Sequence, residues 1–449
     1  MIVVRCARTR RATLGVVVAV GTVVLAAGCA LADTAGSAPR ISGADTAWTL
    51  ISSALVLMMT VPGLALFYGG MVRRKNVLAT VMQCFILAAA VSVQWVLFGY
   101  SLAFAPGHSW VGGLSWIGLR GVSASLPYAA YSPTIPHQAF MIFQCMFAVI
   151  TPALITGAFA ERISFRAFFI FSMLWITLIY DPIAHWVWGV DGWIHRMGAL
   201  DFAGGTVVHI SSGVSALAGA LMVGRRRGYL KEPMPPHNLA LTLAGAGLLW
   251  VGWFGFNAGS SLAANGLAVS AFVATHLATA AAALGWTAAE WWVAGKPTVL
   301  GAASGAVAGL VAITPASGYV GPLPALLIGA IAGALCYSAV RLKPRLGYDD
   351  ALDVVGVHGV GGTWGALATG LFASVAVNAA GANGAFYGNP AQLGLQAVAV
   401  AATIGFAFVG SVILYKVVDA MVGLRVIEQD EEGGLDLSEH GENAYVLEA

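Results

Sequence analysis

Between residues 45 and 418 the chain is a near-continuous succession of apolar stretches long enough to cross a bilayer, and this limits what it can fold into. A helix of roughly 20 apolar residues spans the hydrocarbon core. Eleven stretches run over 45–70, 78–105, 137–160, 166–187, 202–223, 238–258, 267–293, 299–314, 320–340, 353–377 and 393–418. Only 9% of residues are charged, against roughly 25% in a soluble domain, so the chain lacks the polar surface that water requires. In lipid each segment must satisfy its own backbone, which favours helices. The expected fold is an all-α membrane protein with eleven transmembrane helices, residues 33–423 forming one transmembrane domain. A net charge of +2 speaks against a nucleic-acid partner.

The first 32 residues read separately. Arg5, Arg8, Arg10 and Arg11 precede a 14-residue apolar core, Leu14 to Ala27, and Ala30-Leu-Ala32 supplies a small-residue cleavage site. Residues 1–32 are therefore expected to be a cleaved signal peptide. Leu25-Ala-Ala-Gly-Cys29 offers a lipoprotein-type alternative, and an uncleaved anchor is the third. Cys84, Cys145 and Cys336 fall in apolar runs without CxxC spacing and read as packing residues.

The connections set the orientation. Fifteen Lys and Arg residues fall on alternate connections, beginning with Arg73-Arg-Lys75, and three, Arg40, Arg120 and Arg196, fall on the other side. The positive-inside rule puts the N-terminus outside and the tail, 424–449, in the cytoplasm. An odd number of spans gives the same answer.

Two of the stretches carry a histidine behind an aspartate and a glycine-rich run: Asp201-Phe-Ala-Gly-Gly-Thr-Val-Val-His209 and Asp353-Val-Val-Gly-Val-His358. An ionisable residue at membrane depth is costly and normally faces a pore or a partner. The two helices are the fifth and the tenth, so they enter from opposite sides. That order predicts an inverted five-helix pseudo-repeat with the histidines meeting near the midplane. The competing reading is two separately satisfied core histidines. Asp353 reads as the cap of its helix. His137, His185, His195 and His276 lack a paired context. The chain has no HExxH, P-loop or GxSxG string, so transport is expected, with no enzymatic activity and no cofactor or metal.

Five strings in order carry a resemblance: Gly63-Leu-Ala-Leu-Phe-Tyr-Gly-Gly70, Gly157-Ala-Phe-Ala-Glu-Arg162, Asp201 to His209, Trp253-Phe-Gly-Phe-Asn-Ala-Gly-Ser260 and Gly356-Val-His-Gly-Val-Gly-Gly362. From about residue 42 onward the chain resembles the ammonium transporter (Amt/Mep/Rh) family, specifically its Amt branch. The resemblance implies a homotrimer in the plasma (inner) membrane, one pore per subunit, taking ammonium, ammonia or methylammonium. It assigns Trp188 and Ser260 to an outer recruitment site, with Phe147 and Phe143 at its base. Phe147 and Phe256 match the stacked phenyl gate, and His209 and His358 the pore lining. Asp201 matches a residue that organises the vestibule, with direct cation binding as the alternative. From the residues alone, Trp188 is an interfacial tryptophan, Ser260 a helix-end cap and the phenylalanines core aromatics.

The implied mechanism takes NH₄⁺ at the vestibule, deprotonates it and conducts NH₃, with or without the proton, past the two imidazoles. An ammonium sensor with little flux and a Rh-type ammonia gas channel are the rival readings. The acidic tail reads by composition as a solvated segment. The resemblance instead makes it a regulatory element packed on cytoplasmic loops, with a PII-type signal protein as a partner on that face.

Overall fold

The computed structural model describes residues 40–445; the signal-peptide reading, with Cys6 and Cys29, lies outside the described residues. All eleven apolar stretches fold as helices. They are α1 (Gly43–Met71), α2 (Arg74–Phe104), α3 (His137–Phe159), α4 (165–188), α5 (Gly205–Val223), α6 (Leu239–Gly259), α7 (Gly266–Ala294), α8 (Val299–Ile313), α9 (Pro322–Leu346), α10 (355–372) and α11 (Ala391–Val422). Among the described residues nine are helices long and apolar enough to cross a membrane, and α8 and α10 fall outside that group. At 1.5 Å per residue, the 15 residues of α8 reach only about 22 Å. Its chain continues through buried turns at Thr314 to Tyr319.

α3 lies at the centre and is buried along nearly its whole length, packed between α1, α2 and α5. α7, α8 and α9 form a second tightly packed group. Small residues allow that closeness: a Cβ on Gly329 would stand 2.0 Å from the Ala278 carbonyl oxygen. The outward faces are apolar and exposed, including Leu243, Val251, Leu284, Leu323, Val409 and Ile413, as lipid contact requires. Cys84, Cys145 and Cys336 are buried and free.

Five helices contain one wide π-turn each: Met59–Leu64, Trp95–Gly99, Ile176–Tyr180, Gly205–Ile210 and Val355–Val360. A π-turn swings the following side chains onto a new face without ending the helix, and such turns gather at functional sites. Two of these turns contain His209 and His358.

At the end of the bundle bearing the basic loops, charges close the helix ends. Buried Glu161 accepts from the Arg73 backbone N–H at 2.6 Å and side chain at 2.9 Å, and from Arg226 at 3.2 Å. Arg226 also pairs with Asp349 at 2.9 Å. Burial works to raise the Asp349 carboxyl, but Arg226 and Arg162 outweigh it and hold the group below its usual value.

The acidic tail is not a solvated strip. Leu424 and Arg425 run beside residues 162–164, and two short helices follow, α12 (Glu428–Gly433) and α13 (Leu435–His440). Asp436 accepts from the Ala79 N–H at 2.9 Å and Glu439 from the Phe165 N–H at 2.8 Å, so two carboxylates cap the starts of α2 and α4. Glu431 is buried between Arg425 and the Arg227 backbone. Composition misleads here because the tail's negative charges meet orphan helix N–H groups and basic loops in three dimensions.

Candidate functional site: a gated bore with two facing histidines

α5 and α10 cross in backbone contact. A Cβ on Gly213 would lie 2.2 Å from the Gly359 nitrogen, and one on Gly362 would lie 2.9 Å from the His209 Cβ. This approach, with the two π-turns, brings the histidines together although 149 residues separate them in sequence. Their Nδ1 atoms stand 3.2 Å apart and their rings 5.3 Å apart at 29°. Both side chains are almost fully buried. His209 also stacks on Trp253 at 5.5 Å and Phe256 at 6.0 Å, both at 22°. The Trp253 indole N–H donates to Thr314 Oγ1 at 2.8 Å, which fixes the plane on which the imidazole rests. His209 Nε2 has no protein partner.

Above the pair sits the phenyl gate. Phe147 of α3 and Phe256 of α6 pack with ring centres 4.3 Å apart and planes tilted by 43°, and both are buried. Phe143 packs edge-on against Phe147 at 5.0 Å and 73°. It is not among the residues that line the cavity above.

That cavity holds about 480 Å³ and is walled by Phe147, Trp188, Asp201, Ser260, Tyr131 and Gln144, among others. Trp188 meets Phe147 edge to face at 5.6 Å and donates its indole N–H to the Asp201 carbonyl at 3.0 Å. Ser260 donates to the Phe256 carbonyl at 2.8 Å, leaving its oxygen's lone pairs on the cavity side. The Asp201 carboxylate accepts from the Gly204, Gly205 and Thr206 backbone N–H groups at 2.8, 2.6 and 2.8 Å, and from the Thr206 hydroxyl. It therefore caps α5 and ties the vestibule wall to the helix bearing His209.

Below the pair the bore narrows to a space of about 10 Å³ beside Phe67, Tyr68, Asp353 and His358. This is at the lower limit for a single water and cannot hold a hydrated ion. Asp353 does not cap α10. Its backbone is left-handed, at φ +63°, and its carboxylate pairs with Lys343 Nζ at 2.5 Å. The cap is Asp350, whose carboxylate accepts from the Val355 N–H at 2.7 Å. The cap therefore lies three positions earlier than the sequence suggests.

Several wall residues carry no sequence signal. Tyr131 comes from the 105–136 loop, stacks on Phe140 at 4.6 Å and 7°, and donates to the Phe104 carbonyl at 2.6 Å. Tyr319 arrives from the turns after α8. Trp253 could have been found, since it lies three residues before Phe256 on one helix face.

The whole is an aromatic vestibule, a phenyl plug and a narrow bore whose polar lining is two imidazoles. An aromatic face attracts a cation by roughly 0.5–2 kcal/mol, so the vestibule's chemistry suits one. The bore offers no ring of carboxylates or carbonyls to replace a hydration shell, so it suits a small neutral hydrogen-bonding solute. The fold and the site thus define a polytopic helical membrane protein with a gated path through its helical bundle.

Comparison with known proteins agrees with this class. The model of the Ammonium Transporter Family matches residues 47–445. The "Ammonium transporter" of Bacillus subtilis (strain 168) is 55% identical over 402 residues, covering 89% of this chain and 98% of the relative. "Ammonium transporter Amt1" of Archaeoglobus fulgidus is 47% identical over 406 residues, covering 90% and 100%. The crystal structure of Candida albicans Mep2 superposes with a TM-score of 0.83 at 35% identity, covering 91% of this chain and 94% of that one. The chain belongs to the ammonium transporter family.

Proposed function

We propose that the protein is an ammonium transporter of the plasma (inner) membrane, with one pore in each subunit of a homotrimer. The vestibule faces outside, the tail lies in the cytoplasm, and α1–α5 and α6–α10 form the inverted pair of repeats. The lysine and arginine bias supports that orientation.

Trp188, Ser260 and the Phe147 ring recruit NH₄⁺ or methylammonium. Asp201 shapes this site and adds a fixed negative charge beneath it while its oxygens stay committed to α5. The ion gives up its proton at the phenyl gate, because a bare cation in the apolar bore is prohibitively costly. Ammonia then moves past His209 and His358 by exchanging hydrogen bonds, and the shared Nδ1 contact carries the proton in parallel.

The observation carrying this reading is the 3.2 Å contact between the two Nδ1 atoms beneath a closed aromatic gate. Two imidazoles there have no structural need for each other, but together they form a donor–acceptor relay. Purified protein in proteoliposomes, under an inward ammonium gradient, is expected to give a saturable inward current, with none for Na⁺ or K⁺. No ammonium flux at all, from correctly folded protein, would refute the proposal. On the cytoplasmic face, the docked tail and basic loops suit a regulatory partner of PII type.

A further inference from the structure

A second ionisable group lies inside the bundle, away from the bore. Asp181 of α4 is fully buried. Its Oδ2 accepts from Gln94 Nε2 of α2 at 2.9 Å, and the same amide nitrogen reaches Thr177 Oγ1 at 3.2 Å. The other oxygen of each group, Asp181 Oδ1 and Gln94 Oε1, has no partner.

The backbone is arranged to make this meeting. Gln94 directly precedes the π-turn Trp95–Gly99, and Asp181 directly follows the π-turn Ile176–Tyr180. One inserted residue rotates the chain by about 100°, so each turn re-aims a helix face. Two of the five π-turns carry the histidines of the bore, and two others adjoin this pair.

Among the described residues no basic side chain pairs with the Asp181 carboxylate. The ion pairs among the described residues all lie elsewhere. His185, one turn further along α4, has its two ring nitrogens on the Ala103 and His108 carbonyls at 2.9 and 2.7 Å. Tyr180 adjoins Asp181 on α4, and Cys145 of α3 faces Ser92 of α2. Trp175 of α4 is taken up by Ser215 of α5 and Ser411 of α11. An ionised Asp181 would thus be a buried anion with a single amide donor, beside an amide oxygen also lacking a donor. One proton resolves both deficits.

We infer that Asp181 is carried as the neutral acid and donates from Oδ1 to Gln94 Oε1, closing a two-bond acid–amide clasp between α2 and α4. The clasp backs the gate helix. The residue after Gln94, Trp95, donates to the Met141 carbonyl of α3 at 3.3 Å, and Ser92 meets Cys145 at 3.8 Å. Met141 and Cys145 bracket Phe143 and precede Phe147 on α3. Asp181 is therefore a positioning residue for the gate and takes no part in conduction.

Infrared spectra of wild type and Asp181→Asn tests this. The wild-type protein at neutral pH should show a protonated-acid C=O stretch that is absent from Asp181→Asn, and Gln94→Leu should shift the same band upward. Asp181→Asn, which preserves both hydrogen bonds, should keep wild-type flux and melting temperature, whereas Asp181→Ala should lower both. If Asp181→Asn fails to fold, the Gln94→Leu shift alone decides the assignment. A carboxylate band at this residue in the wild type, no shift in Gln94→Leu, or folded Asp181→Asn with lost flux would overturn the inference.

Discussion

His209 Nδ1 and His358 Nδ1 face each other at 3.2 Å, so one must donate and the other accept. The two rings therefore hold opposite tautomers. The donor at Nδ1 leaves its Nε2 bare, while the acceptor carries its proton on Nε2. A proton taken up at the bare Nε2, passed across the contact and released from the partner's Nε2 leaves both tautomers reversed, which gives the bore two neutral states of equal composition. An apolar lining has no such property. A pair of unrelated core histidines would each have been satisfied by a local carbonyl, as His185 is.

The proposed recruitment site rests on Trp188. Its ring is half-buried between the cavity and Phe147, and its indole N–H holds the Asp201 carbonyl. Trp188→Leu should raise the half-saturation concentration for methylammonium several-fold, as loss of about 1 kcal/mol of cation–π attraction implies. Uptake at a series of concentrations measures it. Unchanged concentration dependence at equal expression would remove Trp188 from the site.

The close crossing of α5 and α10 sets the histidine geometry. Gly213→Val places carbon where the Gly359 backbone already sits, and overpacking of this kind costs about 1–3 kcal/mol or more. The variant should melt at a lower temperature and lose flux out of proportion to its folded fraction, because the rings separate. Wild-type flux per folded molecule would mean that the 3.2 Å contact is not required.

Asp350 should make stability depend on pH in an unusual direction. Burial, with help from Asp353 and against Lys343, pushes its carboxyl up to about 6. An unfolded aspartate titrates near 3.9, so between about 4 and 6 the folded chain holds more protons than the unfolded one. This group's contribution to stability therefore falls as pH rises through that window, and its full cost stands above pH 6. Asp350→Asn keeps an oxygen for the Val355 N–H and should be more stable than wild type by about 1–3 kcal/mol near pH 8, with the gain fading toward pH 4. Melting curves of both proteins across pH would show it; a gain that grows toward acid would contradict the assignment.

The docked tail and the basic loops make their end of the bundle a single unit. Removing residues after Arg425 exposes the first N–H groups of α2 and α4, which Asp436 and Glu439 now cap, at about 1 kcal/mol each. It also leaves Arg425 without Glu431. The truncated protein should stay assembled and inserted while transporting more slowly. Wild-type rates at equal abundance would show that the tail only covers the loops.

Apolar length and the lysine and arginine bias made the eleven helices legible, because a bilayer leaves a chain few choices. His209 and His358 were legible for the same reason: charge-bearing groups inside a greasy run are conspicuous. Tyr131 and Tyr319 were not, because loops bring them to the vestibule and no periodicity marks a loop residue. That Asp350 rather than Asp353 caps α10 was also hidden, since a left-handed residue at 353 turns the nearer aspartate away from the helix start. The π-turns left no trace in the hydrophobic pattern either, though they aim the histidines and the Gln94–Asp181 pair.

The most direct test of the account is the current carried by His209→Ala and His209→Asp in folded protein, recorded under separate ammonium and K⁺ gradients. Two facing imidazoles pass a proton and exclude a bare cation, whereas a carboxylate at that depth is costly unless protonated or paired with a cation. The account predicts that His209→Ala loses most of its proton-coupled ammonium current while still excluding K⁺, and that His209→Asp admits K⁺. Ammonium current and K⁺ exclusion equal to wild type in both variants would contradict it and reduce the histidine pair to packing.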